Sequence, residues 1–382
     1  MTKILISAGE ASGEMYGAQL IEALRRHDAS LEFFGAGGDR MRAAGCKTVV
    51  DARDLSVVGI TEIISHLPKI WGLFNQLIVE AAAQSPELAI VIDSPAFNWR
   101  VAREMRKLGI PVVYYVCPQF WAWRQGRVRL LQKYVTKALV IFPFEEKFYR
   151  DRGVDTMFVG HPLAGLCRPT VSREAYAEAN RLDPAKTWIT LMPGSRVKEV
   201  SMNLPTVLEA VQALGDDHEY LLPVAPTLEK SFLQKLIGGA AVTLVPEALA
   251  ALTHSRAGII ASGTATVEAA LMDTPFAMVY RVSGLTYFMG KSQVKVPHFA
   301  MVNLIAGERI VPELVQQDFT AANVAAELSK ILPDGPARER MLRGLAGVRA
   351  SLRGHTSTDV PAAERAATAI LEILKGEPAA GN

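Results

Sequence analysis

The stretch L-A-I-V-I-D-S-P-A-F-N, Leu88 to Asn98, decides how the chain is read. Five apolar residues in a row are the pattern of a strand buried on both faces, as in parallel sheets. Asp93 follows at once, and Pro95 then stops the strand. The carboxylate therefore belongs on a loop at the carboxyl edge of a sheet, where open α/β folds bind ligands. An acid behind such a run is costly unless it is solvated or used. Taken alone, Asp93 fits equally well as an N-cap for the next helix.

Working outward, the same alternation recurs. Strands are expected at Ile4–Ile6, Phe33–Gly38, Val112–Val116 and Ala138–Phe142, with helices at Tyr16–Arg26, Arg100–Leu108 and Val128–Lys133. The composition shifts near Gly160-His161-Pro162-Leu163, and a polar helix, Ser172–Arg181, follows. The alternation then restarts with strands at Trp188–Met192, Tyr220–Val224, Val242–Val245, Gly258–Ala261 and Phe276–Tyr280. This predicts an α/β chain with two doubly wound parallel sheets in series, residues 1–165 and 166–355. A last helix, Val360–Lys375, is ended by Gly376 and Pro378, and the tail 377–382 is expected to be disordered.

The bulk numbers agree. A chain of 382 residues exceeds one ordinary core. A net charge of +2 gives no global pull toward nucleic acid. Three scattered cysteines, Cys46, Cys117 and Cys167, supply neither a disulfide framework nor a metal spacing, which fits a reducing cytoplasm. No signal-peptide core and no membrane-spanning run is expected.

Three small-residue loops follow predicted strands. A-G-E-A-S-G-E, Ala8 to Glu14, lets a ligand approach Gly9 and Gly13 but carries two acids, which disfavour a pyrophosphate. It suits a hydroxyl-rich partner, or serves as a packing turn. P-G-S-R-V-K-E, Pro193 to Glu199, puts Gly194, Ser195 and the fork of Arg196 at a strand end, a set that suits phosphate oxygens. The plain alternative is an Arg196–Glu199 surface pair. A-S-G-T-A-T-V-E, Ala261 to Glu268, offers helix-start amides from Gly263 to Thr266, including Thr264, and an acid, Glu268, able to accept two ribose hydroxyls. Two phosphate-compatible strand ends suggest that the second unit binds a nucleotide.

Two further stretches stand out. C-P-Q-F-W-A-W-R, Cys117 to Arg124, runs into a basic helix and reads as core tryptophans with a solvated basic face, or as a surface for anionic headgroups. Ile60 to Leu77 holds Ile63, Ile64, Leu67, Ile70, Trp71 and Phe74, more than one buried helix face needs, yet it is too interrupted to span a bilayer.

Together S-A-G-E-A-S-G-E, I-D-S-P-A-F-N, Y-V-C-P-Q-F-W-A-W-R, P-F-E, V-G-H-P-L, P-G-S-R-V-K-E and A-S-G-T-A-T-V-E appear in the order of one family. The chain resembles lipid-A-disaccharide synthase. The resemblance implies a GT-B fold, two Rossmann-like domains facing across a cleft, with a C-terminal helix (356–376) packing back on the first. It implies inverting transfer of 2,3-diacylglucosamine from UDP-2,3-diacylglucosamine to 2,3-diacylglucosamine 1-phosphate (lipid X). The products are the lipid A disaccharide 1-phosphate and UDP. No cofactor, metal or nucleic acid is implied. The protein would sit peripherally on the cytoplasmic face of the inner membrane, and a homodimer is left open.

Residue by residue, the resemblance makes Asp93 the general base. It makes Gly194, Ser195, Arg196, Gly263, Thr264, Thr266, Glu268 and Asn303 the donor UDP site. Glu10, Ser12, Gly13 and Asn98 become the acceptor side, and Ile63, Leu67, Ile70, Trp71 and Phe74 the membrane contact. Three positions depart from the family pattern: Glu14 for Asp, Ala96 for Asp, and Val302 for Pro. The rival readings are another UDP-sugar GT-B enzyme, such as an epimerase or a soluble-acceptor transferase, or a non-catalytic sugar-nucleotide binder.

Overall fold

The computed structural model describes residues 1–55, 60–165, 168–282, 296–353 and 360–376, without the side chains of Ala11 and 60–67. The chain divides into two compact units, 1–165 with 352–382, and 166–351.

The first unit carries a sheet of seven parallel strands. They are β1 (Lys3–Ala8), β2 (Glu32–Gly37), β3 (Cys46–Asp51), β4 (Leu88–Ile92), β5 (Val112–Tyr115), β6 (Lys137–Val140) and β7 (Thr156–Phe158). Their order is β3-β2-β1-β4-β5-β6-β7. Helices cover both faces of such a sheet, so its central strands exclude water. Every residue of β4 and β5 is buried, as the apolar runs demand.

The C-terminal helix Ala362–Leu374 returns to this unit and packs on the helix Ala11–His27. Ala366, Ala367 and Ile370 are buried on its inner face. Glu364 accepts from the Arg26 guanidinium and lies 3.0 Å from His27 Nε2. The Arg365 guanidinium donates to the carbonyls of Val159 at 2.6 Å and Arg353 at 2.7 Å.

The second unit has six parallel strands. They are β8 (Thr187–Met192), β9 (His218–Pro223), β10 (Val242–Val245), β11 (Ala257–Ala261), β12 (Phe276–Tyr280) and β13 (Glu313–Val315). Their order is β10-β9-β8-β11-β12-β13. The helix after β8 runs from Val197 to Leu214, seven residues earlier than the start expected at Leu204. The helix carries Pro205 in its interior.

Candidate active site

In each sheet the strand order reverses beside the first strand of the unit. β1 lies between β2 and β4, and β8 lies between β9 and β11. These are topological switch points, where loops leaving the carboxyl ends diverge and leave a crevice. The loop carrying Gly9 and Glu10 follows β1, and Asp93 follows β4. Likewise Gly194-Ser195-Arg196 follows β8, and Ser262-Gly263 follows β11.

At the first switch point Asp93 is half-buried and has φ +48°; Ser94 beside it has φ +46°. Consecutive left-handed residues that are not glycine are costly and need external support. Ser94 holds the N-cap position of helix Pro95–Lys107, yet its side chain makes no capping bond. Support comes from Asn98, which is fully buried. Its Nδ2 donates to the carbonyls of Ile92 at 2.8 Å, Asp93 at 2.9 Å and Ser7 at 3.2 Å. Its Oδ1 accepts from Ser7 Oγ at 2.7 Å. The Tyr114 hydroxyl also donates to the Asp93 carbonyl, at 2.8 Å. Burial raises the Tyr114 pKa well above its usual value, and the charges of Cys117, Asp93 and Glu10 add to this, so the phenol remains a donor.

The neighbouring loop fits closely. A Cβ on Gly9 would lie 2.5 Å from Ser94 Oγ, so only glycine allows the two loops to touch. Glu10 and Ser12 are exposed and Gly13 is buried. Glu14 is engaged at the start of the helix after β2. Its Oε1 accepts from the amide of Arg40 at 2.8 Å, in the first turn of helix Asp39–Ala43. The acid that departs from the family pattern is therefore a helix cap here.

At the second switch point Gly194 has φ +136°, and a Cβ there would lie 2.5 Å from the Glu199 carboxylate. Glu199 accepts the Ser195 amide at 3.0 Å, so its carboxylate is engaged within the turn rather than in the alternative pair with Arg196. Thr227 Oγ1 donates to the Ser195 carbonyl at 2.5 Å, and Asn203 Nδ2 to the Pro193 carbonyl at 2.8 Å. Arg196 is exposed, and its guanidinium bonds to no described residue.

On the adjacent loop Gly263 has φ +135° with open space where a Cβ would stand. Thr264 is exposed at the start of helix Thr264–Leu271. Thr266 is buried, and its hydroxyl donates to the Gly263 carbonyl at 2.8 Å. Glu268 is half-buried, its carboxyl makes no hydrogen bond to a described residue, and burial pushes that carboxyl up to about 7.

Several expected contacts take other roles. Asn98 and Asn303 are both fully buried, with carboxamides spent on the chain. Asn303 Nδ2 donates to Val311 O at 3.0 Å and Glu313 Oε1 at 2.9 Å; its Oδ1 accepts from the amides of Ile310 at 2.9 Å and Val311 at 3.0 Å. In this way each carboxamide braces a loop at its sheet's edge.

Phe74 lies inward. It is 5% exposed and packs edge-on against Phe97 of helix Pro95–Lys107, ring centres 5.9 Å apart. It is core, while Trp71 on the same helix is 54% exposed and Ile70 is half-buried. The side chains of Ile63 and Leu67 lie outside the described residues.

The aromatic loop after β5 divides similarly. Trp121 is buried and donates to Glu145 Oε1 at 2.8 Å, whereas Trp123 is exposed with Arg124 stacked 4.6 Å from its ring centre. Buried Glu145 also accepts the amides of Ile141 and Phe142. Burial outweighs those bonds and raises its carboxyl to about 7. Sequence reading missed Ser7, Tyr114, Glu145 and Thr227. Ser7 and Glu145 sit in motifs already singled out and Tyr114 in an expected strand, but their roles depend on partners from other parts of the chain.

Comparison with known proteins places these edges. A putative UDP-N-acetylglucosamine 2-epimerase from Listeria monocytogenes matches with a TM-score of 0.68 at 13% identity, over 99% of this chain and 97% of that one. The calicheamicin glycosyltransferase CalG4 matches with a TM-score of 0.60 at 17% identity, over 99% of each chain. Such identities speak for fold alone, and the fold is that of the GT-B class: two Rossmann-like units with loops gathered at their switch points.

Within that class the sequence is more telling. The model of a family described as lipid-A-disaccharide synthetase matches residues 4–356. A lipid-A-disaccharide synthase from Koribacter versatilis is 52% identical over 380 residues, 98% of this chain and 99% of that protein. The chain belongs to the lipid-A-disaccharide synthase family, glycosyltransferases of lipid A biosynthesis.

Proposed function

We propose that the chain transfers 2,3-diacylglucosamine from its UDP donor to the 6-hydroxyl of lipid X, with Asp93 as general base. The observation that carries this is that one switch point carries a carboxylate on a left-handed backbone, and the other a glycine with open space beside it and an exposed arginine. Asp93 takes the proton as the 6-oxygen attacks the anomeric carbon. The carbon–oxygen bond to UDP breaks on the opposite face, inverting the centre, and UDP departs with the electron pair. A positioned base suits this single displacement.

Charge develops on the departing diphosphate, and the Arg196 guanidinium, with helix-start amides near Gly263 and Thr264, is the group suited to meet it. Glu268, lacking a described partner, accepts the two ribose hydroxyls. Glu10 and Ser12, exposed beside β4, suit the acceptor sugar. No described helix is long and apolar enough to cross a membrane. Exposed Trp71 is offered as the contact with the cytoplasmic face of the inner membrane.

The test is turnover of UDP-diacylglucosamine plus lipid X, followed by mass spectrometry. Asp93→Asn is expected to lose roughly 10²–10⁴-fold in rate while keeping UDP affinity. A mutant as active as wild type would refute the base, and a wild-type protein that binds UDP without making disaccharide would refute the reaction.

A further inference from the structure

We infer that Asn98 and Tyr114 are positioning residues that hold Asp93 in its left-handed conformation and so aim its carboxylate. The inference rests on the reading of Asp93 as the base, and concerns how one atom is kept in place.

Four observations carry it. Asp93 and Ser94 are both left-handed, a pair of conformations unfavourable for side-chain-bearing residues. The usual device for shaping a helix start is absent, because the Ser94 side chain makes no cap. The turn is shaped from inside the helix instead: Asn98, its fourth residue, reaches back to the carbonyls of Ile92 and Asp93 and across to Ser7 on the neighbouring strand. From the opposite strand, β5, Tyr114 donates to the Asp93 carbonyl, and the Tyr115 carbonyl accepts the Asp93 amide at 3.2 Å. Asp93 is thus gripped through its backbone by β5 and by the helix that follows it.

Holding the Asp93 carbonyl with a buried carboxamide and a phenol fixes the direction in which its side chain leaves the chain. A base misplaced by about 1 Å can lose on the order of 100-fold in rate.

The variants are Asn98→Ala and Tyr114→Phe, the second removing only one hydroxyl. Turnover, UDP affinity and melting temperature are measured on the full chain. Asn98→Ala is expected to lower kcat on the order of 100-fold, and Tyr114→Phe about 10-fold, with UDP affinity unchanged in both. In the Asp93→Asn background Tyr114→Phe should cost nothing further, since there is no base left to aim.

A Tyr114→Phe protein with a lower melting temperature but kcat within about twofold of wild type overturns the inference, leaving only a structural bond. So does a full additional loss in the Asp93→Asn background. If Asn98→Ala does not fold, Tyr114→Phe decides alone. An active Asp93→Asn single variant is a separate result: it removes the base assignment itself.

Discussion

After β4 the chain turns through Asp93 and Ser94 with its carbonyls held by Asn98 and Tyr114. After β8 it turns through Gly194 and Ser195, and the Arg196 guanidinium stands exposed. Both turns occupy the switch point of a parallel sheet. The difference fits the roles proposed for the two turns. Proton removal needs one oxygen in one place, so the first turn carries conformational strain and a buried polar network. Holding a diphosphate needs several donors free to meet moving charge. The second turn therefore relies on glycine and keeps its cation outside the scaffold.

The sharpest way to break this comparison is to loosen the first turn from below. Phe74 packs on Phe97, the neighbour of Asn98 in sequence. Phe74→Ala should cost about 3–5 kcal/mol of stability by chemical denaturation. Trp71→Ala, three residues away but exposed, should cost under about 0.5 kcal/mol while weakening liposome binding. Equal destabilisation by both would remove the distinction between core and surface on this helix.

At the second turn, Arg196→Ala should weaken UDP binding roughly 10- to 100-fold by calorimetry, the worth of charge-assisted hydrogen bonds. Unchanged affinity would show that the guanidinium does not meet the diphosphate.

A smaller effect comes from pH. The Glu268 carboxyl titrates at about 7 because burial disfavours its charge. Ribose hydroxyls donate to the ionised form, so UDP affinity should fall several-fold as pH drops from about 8 to about 6. Glu268→Gln should flatten that profile. Without UDP the sign reverses. A carboxyl raised above its unfolded value favours folding fully below the ordinary carboxyl range, and this contribution is lost as pH rises through about 7.

The smallest effect is expected at Ala96, which is exposed in the first turn after Asp93. Ala96→Asp should add only about 0.3–1 kcal/mol through the helix dipole, read by thermal melting. A large gain in turnover would instead make the missing acid a true part of the site.

Much of this was legible in the sequence, for a physical reason. β4 and β11 are buried on both faces, so their residues are nearly all apolar and the loops after them are easy to place. The edge strands β3, β7 and β13 escaped notice because C-K-T-V-V-D is partly exposed and the other two have only three residues. Family motifs located Asn98 and Asn303 but not their partners. Asn98 meets Ser7 across 91 positions of sequence, and only the pairing of β1 with β4 brings them together. Trp71 and Phe74 look alike on a helical wheel, and Phe97, from another helix, decides which of them is core.

The returning helix Ala362–Leu374 has a consequence for synthesis. The first unit is built from residues 1–165 and 352–382, with the whole second unit between them. A ribosome delivers that helix about 200 residues after β7, a delay of roughly 10–40 s at ordinary elongation rates. Throughout that interval the flank of helix Ala11–His27 awaits its partner, and by its end the second unit has all of its strands. The nascent chain thus completes its middle first, and its earliest-made sheet is sealed last.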